Sequence, residues 1–142
     1  MKNIFPLFLF CLFLNCGVKR VVLSKTEITD ADAVIVFDST FVEVETDGKY
    51  VELDHVLIKI LTNRGKSKYG VASFEYYQTY DTVIILSAKT INPDGKIYSI
   101  PHRDMKDVPL PAFERFYIPN VRVKMITFPN LTEGSYIEYR CK

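Results

Sequence analysis

Beyond residue 32 apolar and polar residues alternate with a period near two instead of 3.6, the signature of strands that bury one face. Ala33 to Phe37 is apolar, Phe41 to Thr46 interleaves valines with Glu43 and Glu45, and Asp47-Gly48 supplies a two-residue hairpin turn. A long strand is expected over Tyr50 to Thr62. Val51 and Leu53 share one face of it, whereas Val56, Ile58 and Ile60 occupy the other. That change of phase near Asp54-His55 implies either a bulge or a strand buried on both faces. Asn63-Arg64-Gly65-Lys66 then predicts a turn.

Thr82 to Asn92 is the most buried-looking strand, with Val83, Ile84, Ile85 and Leu86 in succession. Pro93-Asp94-Gly95 turns the chain, and alternation resumes from Lys96 to Ile100, so this stretch reads as a corner and not as a site. Arg122 and Lys124 alternate with Val121, Val123 and Met125. In the last strand Ile137, Tyr139 and Cys141 oppose Glu138, Arg140 and Lys142, and no turn closes that pattern. No stretch holds helical periodicity over three turns. About seven to nine strands joined by short turns predict an all-β fold, an antiparallel two-sheet β-sandwich over residues 33–142, incomplete at its C-terminus.

The first segment differs in kind. Met1-Lys2-Asn3 precedes an apolar run from Ile4 to Leu14, too short to span a bilayer comfortably, which reads as a signal peptide or lipoprotein signal over residues 1–16. "FLNCG" resembles a bacterial lipobox and makes Cys16 a lipidation candidate, although Phe13 and Asn15 depart from the preferred residues. Lys19 and Arg20 could instead hold an uncleaved anchor. Residues 17–32 read as a tether. The expected location is the periplasm or cell envelope, with the membrane as a partner through the N-terminus.

A net charge of +1 gives no footprint for a polyanion, so nucleic acid is excluded as a partner. Of three cysteines, Cys11 and Cys16 lie in the signal, which leaves Cys141, His55 and His102 in the body. This set is too small for a zinc cluster, so no metal and no cofactor are expected.

Candidate chemistry is sparse. Glu52 and Asp54 lie two apart on one strand face, with carboxylates roughly 6 to 7 Å apart, a spacing used by acid and base pairs, yet common on exposed strands. Glu43 and Glu45 read the same way, and His55 reads as a hydrogen-bonded strand residue. His102 and Arg103 open a proline-rich stretch with no clear strand, in which Phe113, Arg115, Phe116 and Tyr117 either form a contact surface or plug an open end. Phe74, Tyr76, Tyr77 and Tyr80 either pack in pairs or offer a sugar-stacking platform. Asn130-Leu131-Thr132 is a formal sequon and is assigned no role. No catalytic set is found, and Cys141 reads as a small core residue.

The order "DADAVIVFD", "VELDHVLIKILTNRGKSKYG", "YDTVIILSAKTINPDGKIYSIP", "MKDVP" and "VRVKMITFPNLTEGSYIEY" resembles the bacterial family called domain of unknown function 3857. The strongest markers are Ala88-Lys89-Thr90 leading to Pro93-Asp94-Gly95, and Phe128-Pro129 leading through Glu133-Gly134-Ser135 to Ile137-Glu138-Tyr139. The resemblance implies the front part of a module that precedes a transglutaminase-like domain in exported proteins. The expected role is therefore a non-catalytic accessory module, with a downstream domain of the parent protein, or another envelope protein, as partner. The alternative is a stand-alone glycan-binding or adhesion domain that uses the tyrosine cluster.

Overall fold

The computed structural model describes residues 30–110 and 120–142. The expected signal, Cys16, most of the tether and the loop residues Phe113, Arg115, Phe116 and Tyr117 lie outside the described residues. The described elements are β1 (Ala33–Val44), β2 (Tyr50–Ile60), helix α1 (Asn63–Tyr69), β3 (Val71–Tyr77), β4 (Ile85–Ile91), β5 (Ile97–Ser99), a 3-10 turn (His102–Asp104), β6 (Lys106–Pro109), β7 (Val121–Thr127) and β8 (Tyr136–Cys141). Two antiparallel sheets form, one ordered β1-β2-β8-β4-β5 and the other β3-β7-β6. Their facing sides share one core, so the fold is the expected β-sandwich.

That core follows strand parity. Val56, Ile58 and Ile60 of β2 and Ile137 and Cys141 of β8 meet Ile126 and Phe128 from the second sheet. The phase change in β2 needs no bulge of its own. Pairing with β8 runs unbroken from Asp54 to Lys59, and the register shift falls across the ladder in β1, between Ile35 and Phe37. Val51, Leu53 and Leu57 simply occupy the outer face of the sheet.

Two local expectations are corrected. The turn at Asn63 to Lys66 is the start of α1. Thr62 sits in extended backbone, its Oγ1 accepts the Gly65 N–H at 3.0 Å, and its own hydroxyl donates to Asp32 Oδ1 at 2.8 Å. Seven residues are too few for amphipathic periodicity to emerge, so only the cap carries the signal. The run from Val83 to Leu86, expected to be the most buried strand, is also different. β4 begins at Ile85, a register shift falls between Ile85 and Ser87, and Ile84 and Leu86 stay about half exposed while Ile85 is buried.

The corner after β4 is a corner. Asn92 N–H bonds the Lys96 carbonyl at 2.9 Å, Gly95 takes φ +83°, and the fully buried Ser135 donates to Asn92 Oδ1 at 2.9 Å, which pins this turn to the one before β8. Asp32, assigned to the tether, belongs to the folded body: its carbonyl accepts from Leu61 and Thr62, and its carboxylate accepts from Thr62 and Arg64.

Candidate functional site

The interior of the sandwich changes character along its length. On β2 the inward residues run from Ile60, Ile58 and Val56 to Asp54 and Glu52. Opposite them, Ala72, Phe74 and Tyr76 of β3 share a face with their partners Ile126, Lys124 and Arg122 of β7. An apolar end therefore grades into a charged one, where a cleft of about 570 Å³ opens. Glu52, Asp54 and Cys141 form one wall, Phe74, Glu75 and Tyr76 the other, and Tyr80 to Ile84 the rim. A second cavity of about 290 Å³, lined by His102, Met105, Asp107 and Lys124, shares the segment Thr82 to Ile84 with it.

The polar groups at this end are mostly committed to one another. Asp107 of β6 accepts from Tyr76 Oη at 2.9 Å and from Arg122 Nε at 2.8 Å, with Lys124 Nζ 3.4 Å away. Burial acts to raise the Asp107 carboxyl, but Arg122, Tyr76 and Lys124 together hold it below its ordinary value. The Tyr76 hydroxyl moves up, through burial first and then Asp107. Lys124 Nζ also donates to the Val83 carbonyl, which ties the second sheet to the segment leading into β4.

Asp54 accepts from Thr40 Oγ1 at 2.7 Å, and the Cys141 thiol points to its other oxygen at 3.8 Å. Burial and then the Asp54 charge push the Cys141 thiol up to about 11. It stays protonated near neutrality, the reverse of an activated nucleophile. Asp54 is likewise not free to work as one half of an acid and base pair with Glu52.

On the outer face of the larger sheet, Glu138 in the middle strand β8 accepts from His55 of β2 at 3.0 Å and pairs with Lys89 of β4 at 2.9 Å. Burial tends to raise Glu138, but Lys89 and His55 leave it lowered overall. The Phe37 ring meets the His55 ring edge-on, with centroids 4.9 Å apart. This cluster links three adjacent strands, as cross-strand pairs do, and it answers the question of what His55 does.

The residues singled out from sequence are divided by the fold. Tyr76 and Tyr80 line the larger cleft, while Tyr77 is next to Tyr76 on the same strand and so faces the other side. The three tyrosines make no common platform. His102 lines the smaller cavity; Arg103 is exposed and its nearest acid is Asp104 at 3.8 Å. The stretch after His102, expected to lack strands, contains β6, a four-residue edge strand ending at Pro109. Sequence reading missed Asp107, Lys124 and Glu138 as hubs, because each gains its partners from other strands. Among the described residues no cluster of His, Cys, Asp and Glu could hold a metal, and no helix is long and apolar enough to cross a membrane.

A more conspicuous feature is the hairpin of β1 and β2. β2 pairs with β8 only from Asp54 onward, so Phe41 to Leu53 projects as a two-stranded arm. Its apolar residues point both ways: Phe41 and Leu53 on the outer face, Val42, Val44 and Tyr50 on the inner, with exposures from 36% for Leu53 to 68% for Val44. A lone two-stranded ribbon of this kind is marginal in water.

The strands from β2 onward match a known module. The family described as "Domain of Unknown Function with solved-structure structure (DUF3857)" matches residues 46–142, and the chain belongs to it. The fold is also similar to a crystal structure from Parabacteroides distasonis provisionally described as a protease, with a TM-score of 0.68 and 20% identity over 78% of this chain. This chain spans 22% of the length of that protein. No curated protein matches it.

Proposed function

We propose that this chain is a non-catalytic accessory module of an exported bacterial envelope protein, which packs against a downstream transglutaminase-like domain. The observation that carries the reading is the projecting arm, whose apolar residues on both faces would be covered in an assembled protein. The buried, protonated Cys141 supports a role without thiol chemistry. The N-terminal apolar run and its lipobox-like cysteine support export. A photoreactive benzoylphenylalanine at Phe41, in the protein expressed in a bacterial envelope, should cross-link to a transglutaminase-like polypeptide. The same group at Ile97, exposed on β5, should not. Equal cross-linking from both positions, or none from Phe41, contradicts the proposal.

A further inference from the structure

The described residues contain four strand edges, and three are short or guarded. β5 has three residues, β6 has four with Lys106 at its start and Pro109 at its end, and β3 interleaves Ser73 and Glu75 along its outer face. Such short lengths, charges and prolines keep an edge from pairing with another strand. β1 is the exception. It runs for twelve residues, contains no Lys, Arg or Pro, and exposes Ile35, Val36, Phe37, Phe41, Val42 and Val44 by 45% to 68%. Its guards are the irregularity between Ile35 and Phe37, after which pairing with β2 is regular from Phe37 to Val44, and the carboxylates of Asp38 and Glu43.

The charges on β1 restrict what pairs with that edge. Asp38 and Glu43 are both exposed, and neither forms an ion pair among the described residues. Asp38 lies opposite Val56 on the inner face, and Glu43 lies opposite Val51 on the outer face. A second copy of β1 would bring two more carboxylates and no cation to neutralise Asp38 or Glu43. A complementary strand places a basic residue opposite each.

We propose that the free edge of β1 accepts an extended strand from the neighbouring domain, one that has two basic residues five positions apart within a run of β-branched or aromatic residues. This inference rests on the accessory reading above and specifies its contact. Backbone hydrogen bonds along Phe37 to Val44 supply the attachment, and the two charges fix register and favour a basic strand over a second copy of β1. A separation of five puts the basic residues on opposite faces of the incoming strand, matching the opposite facing of Asp38 and Glu43.

The test uses the full chain in mild detergent and a labelled peptide, Thr-Lys-Val-Thr-Val-Thr-Lys-Val-Thr, followed by fluorescence anisotropy. It should bind about tenfold more tightly than its counterpart with Glu in place of both Lys, because two attractive cross-strand pairs replace two repulsive ones. The Asp38→Lys/Glu43→Lys variant should reverse the preference, and methylating alternate peptide amides along one edge should abolish binding. Equal binding of both peptides, binding indifferent to amide methylation, or a β1-paired dimer that excludes the peptide would overturn the proposal. A Phe41 cross-link to a neighbouring domain combined with equal peptide binding would remove the strand-acceptor inference alone. Charge-dependent peptide pairing without that cross-link would remove the accessory reading instead.

Discussion

Glu138 shows how a single residue can organise a sheet from its middle strand. It is mostly buried, and its charge is tolerated because His55 and Lys89 reach it from the strands on either side. Its folded pKa is lowered, so its contribution to stability is present above the unfolded carboxylate value and lost as pH falls through the folded one. Urea titrations between about pH 3 and pH 7 should therefore show stability falling toward acid. Glu138→Gln should lower stability near neutrality by about 1 kcal/mol and flatten that acid slope. An unchanged slope would mean that the cluster does not form. Cys141 gives the opposite sign. Its folded pKa is raised, so its contribution is intact below the unfolded thiol value and is lost as pH rises toward about 11. Iodoacetamide at about pH 8 should leave the native thiol unmodified and should label it once urea unfolds the chain. Rapid native labelling would contradict the buried placement.

Among the elements, α1 is small but tightly fixed. A Cβ built on Gly65 would lie 2.1 Å from the Asp32 carbonyl oxygen, so the helix can approach the start of β1 only with glycine there. Gly65→Ala should cost about 2 to 4 kcal/mol, read by thermal or urea unfolding. Thr62→Ala removes the N-cap and the bond to Asp32, and should cost about 1 kcal/mol. A Gly65→Ala protein as stable as the parent would show that α1 does not sit on Asp32. These two positions also mark where sequence was legible and where it was not. The alternation in β2, β7 and β8, and the corner after β4, follow from local residue order and could be read directly. The closeness of Gly65 to Asp32 joins residues 33 positions apart, and the hubs at Asp107 and Glu138 draw on three strands each, so no local pattern announces them. The apolar run Val83 to Leu86 misled because a register shift lets consecutive apolar residues face solvent, which periodicity alone does not reveal. For the arm, a clue was present: Phe41, Val42 and Val44 place apolar residues on both faces, a pattern at odds with a half-solvated strand.

At the scale of the whole molecule, the sandwich has one well-packed end and one charged, open end, and among the described residues the β1 and β2 arm beside the opening exposes apolar side chains on both faces. Tyr76, Asp107, Arg122 and Lys124 satisfy one another across the second sheet and to the Val83 carbonyl, so they brace the opening and do not form a free reactive set. A stable fold with committed polar groups and an uncovered apolar edge fits a part that is completed by contact. Amide hydrogen exchange across β1, measured on the isolated chain and on the proposed assembled envelope protein, tests this most directly. The account predicts marked slowing from Phe37 to Val44 in the assembled protein, with β7 and β8 protected equally in both. Equal exchange along β1 in the two states would contradict it.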